Sequence, residues 1–101
     1  MMERRNTTRV AVNAPCTFSI DGRDVHAHLV DLSDQGALFR VGSGTPPDVT
    51  TDDLGMEATF TLRSSKPARQ YTGEMIRLFN RGPERFVALR FWKKYREVPT
   101  A

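Results

Sequence analysis

The chain has little of what would make it a membrane protein, a disulfide scaffold or a common kind of enzyme. Of its 101 residues one is cysteine, so no internal disulfide and no paired zinc cysteines are available. No apolar run reaches the roughly eighteen residues that a bilayer span needs. The opening Met1-Met2-Glu3-Arg4 has basic residues without the apolar stretch of a secretory signal behind them. With the lone Cys16, this predicts a reducing cytoplasm. No Ser-His-Asp order, Walker phosphate loop or dinucleotide fingerprint occurs, so neither an enzyme nor a resident metal or cofactor is expected.

What is present fits one small soluble domain. Hydrophobic residues make up 39% of the chain, and the mean hydropathy is −0.48. This length supports one hydrophobic core and not two. The net charge is only +3, yet twelve of the fifteen basic residues are arginine, the side chain that grips phosphates bidentately and stacks on flat rings. Charge is uneven along the chain. Arg4, Arg5 and Arg9 lie at the front, whereas Asp48, Asp52, Asp53 and Glu57 form an acidic patch in the middle. That pattern points to a local anion site and not to a long nucleic-acid track.

The hydrophobic period is mostly two. Cys16, Phe18 and Ile20 alternate, Asp21-Gly22 is a two-residue turn signal, and Val25, Ala27 and Leu29 alternate back, which predicts a hairpin over 14–32. In this pattern Cys16 is a small buried hydrophobe. The phase then changes at Val30 and Leu32, predicting a bulge or twist that turns Asp31 and Ser33 to the other face. Further strands are predicted over 37–41, 56–62, 70–79 and 85–91. A long loop, with one helical turn after Thr51, joins the third to the fourth. The stretch 92–98 is predicted to form one or two helical turns before Pro99. Six short strands with turn signals between them imply a small all-β antiparallel barrel. Residues 1–9 read as a mobile arm, and 10–101 as the barrel domain with its tail.

Two segments carry chemistry. Arg4-Arg5-Asn6-Thr7-Thr8-Arg9 offers three guanidiniums, each with five N–H donors, enough for several phosphate oxygens. In Asp31-Leu32-Ser33-Asp34-Gln35-Gly36, Asp31 and Ser33 are two apart on a strand end, so a carboxylate and a hydroxyl share a face and can meet the N–H edge of a guanine. Gly36 is expected to supply backbone freedom for the turn. Each segment alone also reads as a solvated tail or as a self-capped turn.

Together, an arginine pair with three residues between and then Asp-x-Ser-x-x-Gly at a strand end resemble the PilZ domain family. The resemblance covers nearly the whole chain, and Phe86-Val87-Ala88-Leu89-Arg90-Phe91 looks like the family's last strand. It implies a six-stranded barrel that binds cyclic di-GMP, a bacterial second messenger with two phosphates and two guanines. Arg5 and Arg9 match the arginine pair, and Asp31, Ser33 and Gly36 match the second motif. In the family an arginine at the position of Arg4 goes with an intercalated ligand dimer, so two ligands per chain are expected. Ala88 stands where many members have glycine, and Trp92 is a candidate for stacking on a base.

The family implies control of motility, biofilm or exopolysaccharide production through a separate downstream protein, because no output segment is apparent. Two rivals remain. One is a nucleotide-independent adaptor; the other is a barrel binding single-stranded RNA or DNA through Phe86, Arg90, Trp92 and Tyr95. His26 and His28 can share a face, but an Asp21-Gly22 turn pairs Cys16 with Ala27 and directs it away from both, which disfavours a zinc site.

Overall fold

The computed structural model describes residues 9–42 and 48–99. Its strands are β1 (Val10–Ile20), β2 (Arg23–Leu32), β3 (Gly36–Val41), β4 (Glu57–Leu62), β5 (Ala68–Arg81), β6 (Glu84–Phe91) and β7 (Arg96–Val98). The first six form an antiparallel ring in the order β4-β1-β2-β3-β6-β5, closed by pairing of β4 with β5. Closure gives each of these strands a neighbour on both sides, which limits the edges open to foreign strands.

The expected first hairpin forms around Asp21-Gly22, and both residues have positive φ, 50° and 76°. That is the geometry whose twist matches two flanking strands. Cys16 pairs with Ala27, as the turn length requires. Inward residues then follow the period of two: Phe18, Ile20, Val25, Leu29, Phe39, Val41, Phe60, Met75, Val87 and Leu89 are all buried. Phe39 lies at the centre of the aromatic packing, with ring centroids 4.8 Å from Phe18 and 5.0 Å from Phe60. Each such side chain contributes about 1.5–3 kcal/mol by leaving water.

Three irregularities interrupt the pleat. The register of β2 against β3 slips between Leu29 and Asp31, leaving Val30 as the extra residue. Across β2, β1 compensates between Ala11 and Ala14, where Asn13 takes φ 56°, a conformation Asn tolerates better than most residues. The third slip is in β5 between Met75 and Arg77, and it leaves Ile76 41% exposed.

The predicted helical turn after Thr51 is present as a 3₁₀ turn, Thr51–Asp53. Asp53 is buried there and not part of an exposed acidic patch. Its Oδ2 accepts from the Thr50 amide at 3.0 Å, and its Oδ1 lies 3.0 Å from Arg23.

The helical tail expected over 92–98 does not form. Arg96–Val98 is instead β7, paired with Ala68, Arg69 and Gln70 at the start of β5. β5 is fourteen residues long, and β6 covers the same edge only from Gly73 onward. The remaining length of edge offers backbone hydrogen bonds that an isolated short helix cannot match. Tyr95 docks there with its ring 5.4 Å from Tyr71.

Candidate functional site

β1 and β2 bring Arg9, the last residue of the arginine segment, to the Asp31 turn. Ala11 pairs with Asp31, so Arg9 leaves the barrel beside the carboxylate. Arg9 Nε donates to Asp31 Oδ1 at 2.9 Å, its Nη2 contacts the same oxygen, and Nη1 donates to Ser33 Oγ at 3.4 Å. The Val30 bulge makes this possible. It keeps Leu29 and Leu32 inward while Asp31, between them, faces out with 26% of its side chain exposed. Arg4 and Arg5 lie outside the described residues.

Ser33 organises the turn. It is only 5% exposed, and its hydroxyl accepts from the amides of Gln35 at 3.2 Å and Gly36 at 3.3 Å. Ser33 N donates to Gly36 O at 2.9 Å. The turn is fastened to β6 by Phe91 N donating to Gln35 O at 2.8 Å.

Gly36 has a different reason from the one the sequence suggests. Its φ is not positive, so conformational freedom is not what the position requires. A Cβ there would lie 2.3 Å from the Leu89 carbonyl oxygen. The requirement is close approach of β3 to β6, and only a residue without a side chain permits it.

Trp92 and Ala88 sit on this side of the barrel. Trp92 is 52% exposed and shares a cleft of about 340 Å³ with Asp34, Gln35 and Arg90. Its indole Nε1 donates to Glu74 Oε1 at 2.8 Å, and Arg90 lies 3.9 Å from the same oxygen. Glu74 was not apparent from sequence. It lies on β5 opposite Arg90, and only the register reveals that neighbour. Ala88 pairs with Leu38 on one side and Arg77 on the other.

The four residues of the oligonucleotide reading are not brought to one surface. Phe86 is 6% exposed and stacked on Phe79 with centroids 5.4 Å apart, Tyr95 packs on Tyr71, and Arg90 and Trp92 flank Glu74. The histidines bind locally: His26 Nδ1 is 3.0 Å from Thr17 Oγ1, and His28 Nε2 is 2.7 Å from Asn13 Oδ1. No cluster of three metal-ligating side chains occurs among the described residues. No helix of the described residues is long and apolar enough to cross a membrane.

A larger cleft, about 470 Å³, lies where β1 and β4 diverge, lined by Val12, Cys16, Thr61 and Arg63 among others. The pairing of β1 with β4 is confined to Phe18–Ile20. Pro15 and the irregular backbone at Asn13 blunt the rest of that edge against recruiting another strand.

A family model for the PilZ domain matches residues 3–97. Among solved structures, the Bacillus subtilis inhibitor of motility MotI/DgrA superposes with a TM-score of 0.66 and 15% identity over 91% of the chain. The chain spans 44% of that protein's length. No curated protein matches it.

Proposed function

The chain belongs to the PilZ domain family, and from that premise we propose that it is a non-enzymatic receptor for cyclic di-GMP. The observation that carries the reading is the junction of Arg9 with Asp31 and Ser33, which sets the last arginine of the opening segment against the Asp-x-Ser-x-x-Gly turn. Guanidiniums meet phosphates through paired N–H donors, and a carboxylate accepts from the N–H edge of guanine. Arg5 and Arg9 take the phosphates, Asp31 takes a guanine, Ser33 and Gly36 hold the turn, and Trp92 stacks on a base.

Arg4 adds a third fork, suited to the doubled charge of two intercalated ligands. The ligated arm alters the surface offered to a separate downstream protein. The structural neighbour is an inhibitor of motility, and motility is accordingly the output we assign, ahead of biofilm or exopolysaccharide control. The test is titration calorimetry with cyclic di-GMP, GTP and a short single-stranded RNA. Heat with the first alone, at two ligands per chain, is expected. Heat with none of them would overturn the receptor and favour the nucleotide-independent adaptor instead.

A further inference from the structure

β1 is eleven residues long and β4 six, yet the two pair only where Phe18, Ser19 and Ile20 meet Phe60, Thr59 and Ala58. On the N-terminal side of Phe18 the strands part. Cys16 marks the divergence. Its Sγ lies 3.9 Å from the Thr61 carbonyl oxygen, a weak thiol contact where a ladder would place a backbone hydrogen bond. The cleft of about 470 Å³ occupies this opening. It lies on the edge of β1 that faces β4, whereas the Asp31 turn belongs to the edge that faces β2.

The inner lining of the cleft belongs to the core. Leu29 and Phe60 contribute to it and are 0% and 3% exposed, while Val12, Cys16 and Leu62 pack against the core from its sides. The outer part is polar. Thr59, Thr61 and Ser64 supply hydroxyls, and Arg63 is the one charged residue of the lining among the described residues. Arg63 is exposed, and among the described residues it forms no ion pair. An apolar interior with a few polar groups at the mouth is the make-up of a small-molecule site, and the volume falls within the roughly 300–1,000 Å³ of such sites.

The backbone around the opening excludes a strand as the occupant. A strand inserted beside β1 needs a continuous ladder, but Pro15 offers no N–H and Asn13 turns its backbone to φ 56°. What fills the cleft must be held by its shape and by its head group. The head group follows from charge: a guanidinium engages a carboxylate through paired N–H donors and repels a cation.

We propose that the cleft between β1 and β4 binds a small amphiphilic anion, an apolar chain ending in a carboxylate. The chain lies against Leu29, Phe60, Val12 and Leu62, and the carboxylate meets Arg63. This site is separate from that of cyclic di-GMP and does not rest on the receptor reading.

The experiment is calorimetric titration of decanoate, kept below its micelle concentration, into the full chain and its Arg63→Gln, Ala14→Phe and Arg9→Ala variants, with decyltrimethylammonium as the probe of opposite charge and thermal melts to verify folding. Decanoate is expected to bind and the cation not to. Arg63→Gln should weaken decanoate about tenfold. Ala14→Phe places a ring in the cleft and should abolish binding, while Arg9→Ala should change affinity less than twofold. Bound decanoate should also slow the reaction of Cys16 with iodoacetamide, because the thiol lines the same cleft. Equal binding of the two amphiphiles, or unchanged affinity in Arg63→Gln, would overturn the proposal. Loss of binding in Arg9→Ala would move the anion to the other arginine site and overturn it as well. Should Ala14→Phe fail to fold, Arg63→Gln and the protection of Cys16 decide. Absence of decanoate binding by the unmodified chain would overturn the proposal and leave the receptor standing.

Discussion

Arg9 and Asp31, twenty-two residues apart, form an ion pair in which Nε and Nη2 of the guanidinium reach one carboxylate oxygen, Oδ1. Nη1 of the same guanidinium reaches Ser33. One arginine therefore spans the exposed carboxylate and the buried hydroxyl of the turn motif. Its side chain is 49% exposed, so the pair adds little to folding, about 0–1 kcal/mol. Arg9→Ala should leave the urea midpoint nearly unchanged and weaken cyclic di-GMP binding about tenfold to a hundredfold. Retained affinity, measured by calorimetry, would refute the assignment of Arg9 to the ligand.

Gly36→Ala should behave differently, damaging fold and site together. The added methyl meets the Leu89 carbonyl at 2.3 Å, and a backbone atom cannot swing aside as a flexible side chain can. The strands must part where the turn is fastened to β6, at a cost of about 1–3 kcal/mol. Equilibrium urea unfolding reads this directly. A variant as stable as the parent would show that the approach of β3 to β6 is not what demands glycine.

Asp53 separates stability from binding in the opposite sense. Its carboxylate is buried, accepts from the Thr50 amide and is paired with Arg23, far along the sheet from the Asp31 turn. Asp53→Ala removes a cap and leaves Arg23 without this partner, so a loss of about 1–3 kcal/mol is expected. Ligand affinity should stay within twofold. Calorimetry showing a large loss in a folded Asp53→Ala protein would contradict the placement of the site.

Cys16 supplies a pH prediction. Burial raises the thiol above its ordinary value of 9.0, because the thiolate is disfavoured away from water. The unfolded chain therefore ionises Cys16 at lower pH than the native one. The neutral thiol's contribution to stability is complete below about pH 9 and is lost as the pH rises through the native value. At pH 8 iodoacetamide should modify the folded protein more slowly than the urea-unfolded chain. Equal rates would show that the barrel does not protect the sulfur.

The strands were legible because a half-buried strand needs alternation, and alternation is written in the order of residues. The irregularity in β2 was legible for the same reason, as a change of phase between Leu29 and Leu32, and the register identifies it as a bulge at Val30. Asp21-Gly22 was legible because few residues accept positive φ in a tight hairpin. By contrast, residues 92–98 carry no strand signal of their own. β7 exists because β5 is longer than β6 can cover, and the length of a distant edge is invisible locally. The β1 boundary was read four residues late, at 14 instead of Val10, because the Val12–Asn13 irregularity breaks the alternation that marks a strand.

The candidate site divides in the same way. Sequence order alone specified the chemistry available: arginines in the opening segment, a carboxylate and a hydroxyl two apart, and a glycine closing the turn. Those are properties of residue type and spacing, and their combination is what resembles the PilZ motifs, a resemblance that implies the cyclic di-GMP ligand proposed above. Only the tertiary structure decided that Arg9 meets Asp31, that Gly36 answers to the Leu89 carbonyl, that Glu74 holds Trp92, and that β1 and β4 pair only at Phe18–Ile20. Each of these depends on registers accumulated across several strands, and a single bulge in any of them would shift the partner by one residue and turn it to the opposite face.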